Sequence, residues 1–425
     1  MTKTRLRRLL IFAIAAVLLL FVARAGLDLW ASRRVDAAVA RLEQRYGSLH
    51  EGTLILPPVP AGDNRARAFR AAAALIDLAP LADQRGLGRA VARMQSERAA
   101  APLPADLRAF VDANRAALRV ANEARTRRES DWEADYILMA STPPWMEIRT
   151  LSNALHLAAR RDLDDGRADD AAAAIASGLA LSASVRQEPN LLAQLLRCAF
   201  GMQHFDAVQR LVTHAEPSKA SLEELARWLA EDRAPRPMDV GLLGELRHFH
   251  AVLTRFENGE RRVGALRDLP WWIDPVAGLG RPLVRVAHAR YLNVLNQLLE
   301  IQMGPRPRPD AAAKPMPSRW SFLKRMDNLF TAGLERTMKT GDLFTTQHGL
   351  TELAVALRRF RLDHGQYPET LSALMPDYLP ALPMDASTGQ PPVYTREGTG
   401  FRLRADLPKD VSGQRAIALD WAVPK

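Results

Sequence analysis

The stretch LRRFRLDHGQYPETLSALMPDYLPALPMD, residues 357–385, decides how the C-terminal part of the chain is read. Leading into it, Leu350, Leu353, Ala354, Leu357 and Phe360 recur three and four residues apart. That spacing predicts an amphipathic helix from Phe344 onward, with these side chains on one face. His364-Gly365 closes it, because glycine takes the left-handed conformation that ends helices. Gln366-Tyr367-Pro368 follows, and Pro368 opens a short helix over 369–375 carrying Leu371 and Leu374. Tyr378-Leu379-Pro380 and Pro383-Met384-Asp385 make the next segment extended. Strands are then expected at 391–396, which includes Tyr394, at 400–405 and at 415–421, with Glu397-Gly398-Thr399-Gly400 as a hairpin turn. One helix on a small antiparallel sheet is an α+β unit.

Upstream, GPRPRPDAAAKPMPSR, residues 304–319, is Pro-rich and polar and reads as a semi-rigid linker. It separates a helix plus α+β domain, 320–425, from a helical domain, 31–303. Within the latter, Leu151, Leu155 and Ala158 line one helix, and Asp165-Gly166-Arg167 is a turn. Ala171, Ala172, Ile175 and Leu179 line the return helix, and Leu192, Leu195, Leu196, Ala199 and Met202 a third. Ser221-Leu222-Glu223-Glu224 has the form of a capping box opening a helix over 222–232. Less sharply bounded helices are expected at 66–78, 86–99, 104–128 and 130–140, and further ones within 238–303, interrupted near Trp271 and Trp272. The hairpin around 146–186 is similar to a tetratricopeptide unit, but no period of about 34 residues recurs three times.

At the other end, residues 1–8 carry four positive charges and residues 9–23 are uninterruptedly apolar, including Leu9, Phe12, Leu19 and Phe21. Arg24 follows, then Leu27, Leu29 and Trp30. A spanning helix needs about 20 residues. A snorkelling Arg24 and an interfacial Trp30 extend the span to residue 30. The favoured reading is an uncleaved signal anchor over 1–30, with the basic tail in the cytoplasm and the bulk of the chain outside it. The alternative is a signal peptide cleaved after Ala25, at the small-x-small triplet Ala23-Arg24-Ala25. The helical pattern favours the anchor, since it flows on through Val35, Ala38, Val39 and Leu42.

The net charge of +10 is spread along the chain and interleaved with acids, without a basic stripe bearing stacking aromatics. Nucleic acid is therefore not an expected partner. The single cysteine, Cys198, rules out an intrachain disulfide and sits in an apolar helical pattern, as a buried small hydrophobe would. The fold class is mainly α: a membrane helix, an array of antiparallel helical hairpins, and a small C-terminal α+β unit.

The C-terminal stretch resembles the globular head of the major pseudopilins of type II secretion systems. The matching residues are Phe360, Gly365, Tyr367-Pro368, Leu371, Leu374, Tyr378, Pro380, Pro383, Asp385 and Tyr394, with a Gly389 turn. The likeness covers roughly residues 348–405. Pseudopilins carry a Gly-Phe junction and a Glu at the start of the membrane helix, and both are missing here, so neither leader processing nor polymerisation is expected. Asp406 and Asp410 lie where pseudopilin heads often bind calcium, but the flanking ligand spacing is absent, and no metal or cofactor is expected. Over its whole length the chain is similar to a group of bacterial membrane-anchored proteins, through PPVPAGDN, the 166–199 stretch and the C-terminal unit. That likeness implies a single-pass inner-membrane location with a periplasmic body, and implies no particular reaction.

Catalytic motifs are few. Ser321-Phe-Leu-Lys324 and Lys339-Thr340-Gly341 echo penicillin-binding enzymes without their middle element. Glu245-Leu-Arg-His248 is half of a di-iron signature that needs two copies. His348 and Glu352 are expected as a solvated pair one turn apart, and the acids near 162–170 as solvated helix ends. The leading expectation is a non-enzymatic interaction or scaffolding protein whose pilin-like head docks onto a secretion or envelope assembly. The alternatives are an envelope hydrolase with a site in the helical middle, tested by whether Glu245 and His248 converge with another acid, and a head that only packs on the helical domain.

Overall fold

Residues Lys3–Tyr46 form one unbroken 44-residue helix, α1, because nothing between the apolar run and Tyr46 stops it: no proline, and Gly26 as the only glycine. The computed structural model of the protein describes residues 3–81, 86–88, 90–91, 102–137, 142–260, 280–305, 321–386, 388–405 and 419–423. Trp271, Trp272, Asp406, Asp410, residues 306–319 of the linker and most of the expected helix at 86–99 lie outside them.

The remaining described helices are α2 (Arg65–Ala74), α3 (Ala105–Ala113), α4 (Arg115–Ala124), α5 (Trp145–Asp164), α6 (Ala168–Ser184), α7 (Leu191–His214), α8 (Lys219–Asp232), α9 (Pro237–Glu257), α10 (Arg281–Met303) and α11 (Ser321–His364). The strands β1 (Val393–Glu397), β2 (Gly400–Ala405) and β3 (Leu419–Val423) form an antiparallel sheet in that order. Its register pairs Thr395 with Arg402 and Leu403 with Trp421. The protein is mainly helical, with this one small sheet among the described residues.

Helices α5 and α6 are the expected hairpin, and α7 packs on both. Small residues make this possible: Ala171, Ala172, Ala176, Ala180 and Ala183 are all buried. Glycine serves the same end where α9 crosses the chain before α7. A Cβ on Gly244 would lie 2.0 Å from the Pro189 carbonyl oxygen. Because the obstacle is backbone, Gly244→Ala is expected to destabilise the fold by about 3 kcal/mol, read as a lowered urea midpoint.

Several local expectations are corrected. Helix 104–128 breaks at Asn114, which is buried and turns its amide inward. Asn114 Oδ1 accepts from the Asp77 backbone at 2.6 Å, and Nδ2 donates to the Asp77 carbonyl at 2.8 Å. The helix starting at 66 ends at Ala74, not 78. Residues 130–137 are not helical: Glu133 has φ of 55°, and the buried Trp132 indole donates to the Ser184 carbonyl at 3.1 Å. The cap of α8 is Ser218, whose side chain accepts from Ser221 N, so Ser221 lies inside the helix. The short helix at 369–375 is a single 3-10 turn, Leu371–Leu374.

The largest correction concerns α11. Its predicted face of Leu350, Leu353, Ala354 and Leu357 is buried as expected, but Val355 and Ala356 on the other side are buried too. The helix is enclosed because α7 and α8 cover one side while β2 and the Leu371–Leu374 turn cover another. One apolar core therefore runs from Ala66 through α5–α8 and α11 to Ala405. A second core joins the end of α1 to α9, α10 and Met338 of α11.

Candidate membrane junction

Helix α1 changes environment along its length. From Ile11 to Val22 nine large apolar side chains are exposed, with Phe12 at 72% and Leu19 and Phe21 similarly bare. None of the described residues covers this segment, which is long and apolar enough to cross a membrane. Leu9 belongs to the same helix. Beyond it Ala31, Val35, Ala38 and Leu42 are buried at four-, three- and four-residue steps, so the same helix enters the core. Trp30, at the change, is half exposed, and the Arg34 guanidinium lies 4.2 Å from its ring.

Helix α10 runs alongside α1 in the same direction. Asp28 pairs with Arg285 at 3.0 Å, Arg41 Nη2 donates to Asn293 at 3.3 Å, and Arg45 meets Glu300 at 2.5 Å. The chain after α1 is tied to α9, with Arg255 gripping both carboxylate oxygens of Glu51 at 2.8 Å. From the Asp28 pair a polar chain continues inward. Arg285 Nε donates to Glu257 at 3.1 Å, Glu257 accepts from His288 Nδ1 at 2.7 Å, and His288 Nε2 lies 3.1 Å from His250 Nδ1. The two rings share one hydrogen bond between these nitrogens, whose direction follows their tautomers. Burial, and then the neighbouring His288, holds His250 down at about 4, so it stays neutral near pH 7. Sequence reading missed this chain, since its members are spread over three helices with no common spacing.

The residues that carry the pseudopilin resemblance are spread along the C-terminal half of α11, with contacts from Thr346 to His364. Gly365 takes φ +74° and its N–H closes the helix on the Arg361 carbonyl at 2.8 Å. Phe360 stacks 4.1 Å from His364 and 5.5 Å from Tyr378, whose hydroxyl donates to Asp363 at 2.8 Å. Tyr367 is buried edge-on to Phe401 at 4.9 Å, and Leu371 and Leu374 fill the space beneath. The Tyr394 hydroxyl donates to the Pro368 carbonyl at 2.7 Å. Pro383 packs on Gly349 of α11, and Pro380 lines a 190 Å³ pocket with Arg233, Glu352 and Arg359. Asp385 is buried and accepts from Thr388 N at 3.2 Å, while its backbone closes the Gly389 turn. Each of these contacts packs or closes a turn.

The other candidates separate. Glu245 is half-buried and accepts from Leu191 N at 3.1 Å, whereas His248 Nδ1 faces the Tyr136 carbonyl at 2.7 Å, so they serve different partners. A 390 Å³ pocket lined by Arg149, Asn153, Gln203 and Asp206 contains neither. Ser321 and Lys339 stand on the same helix, α11, about 27 Å apart along its axis, too far for one site. Among the described residues no group of three or more His, Cys, Asp or Glu is placed to hold a metal. Cys198 is buried, and burial pushes its thiol up to about 12.

One expectation of solvation fails and a second fails at one residue. His348 and Glu352 are buried: His348 Nε2 is 2.9 Å from the Leu229 carbonyl, and Glu352 takes a forked bond from Arg233 at 2.8 and 3.0 Å. Asp162 is also buried, paired with Arg161 at 3.0 Å and Arg167 at 2.5 Å. The other acids near the 165–167 turn, Asp164, Asp165, Asp169 and Asp170, are exposed, as solvated helix ends.

The buried imidazoles have a measurable consequence. Burial holds His156 at about 4, His204 at about 3 and His348 at about 3. In the unfolded chain they protonate near 6.5. The unfolded state therefore binds more protons between these values, and stability present above about pH 6.5 is lost as pH falls toward 4. Glu188 acts oppositely: burial pushes it up to about 7, so it contributes stability at low pH that is lost as pH rises through about 7. Urea midpoints are expected to fall from about pH 7 to about pH 5. Glu188→Gln, which keeps an acceptor for the Tyr136 hydroxyl, is expected to raise the midpoint above about pH 7.

Comparison of the chain with protein-family models, with curated proteins and with solved structures finds no match to any of them.

Proposed function

We propose that the protein is a single-pass, membrane-anchored scaffold of the bacterial inner membrane, with its N-terminus cytoplasmic, its body periplasmic and no catalytic role of its own. The observation that carries this reading is the continuity of α1: a bare apolar half joined without a break to a half built into the core. A helix of that kind tethers a body rigidly and at fixed height. The charge before it, four basic residues in 1–8, favours retention of that end in the cytoplasm.

The pilin-like C-terminal unit is the proposed docking element for a secretion or envelope subunit. Helix α11 is occupied by α7 and α8 on one side and by β2 and the Leu371–Leu374 turn on another, so docking uses the exposed apolar side chains of the unit, among them Leu362, Met375, Met384 and Val393. Deleting the unit would remove α11 from the common core, so it is not a clean test. A photo-crosslinking residue at Val393 or Met375 in intact cells is. The expected product is a discrete adduct with a secretion or envelope protein. Absence of any adduct from these positions would contradict docking.

A second reading has its own support: the unit completes the helical core and meets no partner. The enclosure of Leu353, Val355 and Leu357 between helices and sheet favours it. The same crosslinking experiment separates the two.

A further inference from the structure

The anchor reading, on which this inference rests, carries a requirement of length. From Leu9 to Ala23 the helix rises about 22 Å, short of the hydrocarbon thickness of about 30 Å. Reaching that thickness from Leu9 brings the far boundary close to Leu29 and Trp30, about 30–33 Å along the axis. Asp28 then lies at the boundary, and so does its partner Arg285 at 3.0 Å. Since α10 runs in the same direction as α1, its first residues, 281–284, sit lower than Arg285, nearer the bilayer.

We propose that the first turn of α10, Arg281–Arg285, rests in the phospholipid headgroup layer at the periplasmic surface, so that the protein meets its membrane at two places. The occupant follows from continuity with the membrane-crossing segment and from the side chains at this end. Leu283 projects from α10 and is 43% exposed, on the same level as the exposed Leu27, Leu29 and Trp30 of α1. Arginines neighbour them in the chain: Arg281 on α10, and the exposed Arg33 and Arg34 on α1, the latter stacked on Trp30. Apolar tips followed by exposed guanidinium groups match a layer that is apolar beneath and phosphate-rich above.

This second contact also gives the Asp28–Arg285 pair a role. A carboxylate at the hydrocarbon boundary is costly unless paired, and Arg285 is held in place by Glu257 behind it. The pair locks the rotation of α1 about its axis to the position of α10, so the body cannot swivel on its tether.

The test is nitroxide depth measurement on the full-length protein in bilayer nanodiscs of phosphatidylethanolamine and phosphatidylglycerol. Single labels are placed by Leu283→Cys, Leu19→Cys and Val393→Cys in a Cys198→Ala background. Leu19 reports the span, and Val393, on the sheet, reports water. The expected result is a label at 283 several-fold less accessible to a nickel chelate than the label at 393, with depth between those of 19 and 393. If 283 reads as 393 does while 19 reads hydrocarbon, the second contact is refuted and the anchor stands. If 19 also reads water, the anchor is refuted and the second contact with it.

Discussion

Asp232→Ala will destabilise the folded protein by about 3–5 kcal/mol, the range for removing one partner of a fully buried ion pair. Asp232 and Arg197 are both 0% exposed, with Arg197 Nε 2.9 Å from Asp232 Oδ1. Every polar group of the pair is occupied. Ser182 Oγ donates to the other carboxylate oxygen at 2.8 Å. The guanidinium also donates to the Asp232 carbonyl at 2.6 Å and the Pro235 carbonyl at 2.9 Å, and lies 5.5 Å from the Phe344 ring. Four helices, α6, α7, α8 and α11, are thus tied at one point. Alanine would leave a positive charge in an apolar interior. Urea unfolding measures the loss, and a change below about 1 kcal/mol would show that the pair is not enclosed as described. An apolar double replacement, Arg197→Met with Asp232→Leu, is expected to recover much of it, because it removes both charges at once.

The second large effect is on location. Leu18→Asp together with Leu19→Asp is expected to release the protein from the membrane fraction. Each central Asp costs about 3 kcal/mol, so the pair costs about 6 kcal/mol. The nine exposed apolar residues between Ile11 and Val22 supply only about 3–5 kcal/mol on the same scale. Carbonate extraction followed by immunoblotting measures the shift from pellet to supernatant. The unfolding midpoint of the body should not move, since neither side chain touches the core. Retention in the pellet would mean that another surface holds the protein there.

The parts legible in sequence were those with one dominant local cause. The apolar run of α1 needs only composition and length. The α5–α6 hairpin follows from apolar spacing on both sides of Asp165-Gly166-Arg167. Gly365 marks the end of α11 because its backbone conformation is one that other residues avoid. What sequence did not disclose depends on distant partners. Nothing local says that Asn114 turns inward to bond residue 77, or that Trp132 reaches Ser184 and so excludes a helix at 130–137. The two-sided burial of α11 was hidden because Val355 and Ala356 look like ordinary apolar scatter beside the stronger face. His348 and Glu352 have the spacing of a surface pair, and only the packing of α8 over α11 makes them interior. The polar chain from Asp28 to His250 needs three helices to be assembled before it exists.

The central claim is that α1 stays attached and holds the body on the membrane. It is tested most directly by intact mass measurement of the protein from carbonate-washed membranes of the cells that make it. The account predicts a membrane-retained chain that still contains residues 3–25, the start of α1 and its apolar run. A chain beginning at Gly26 and recovered from the soluble periplasmic fraction would contradict it, and would make the apolar run a cleaved export signal.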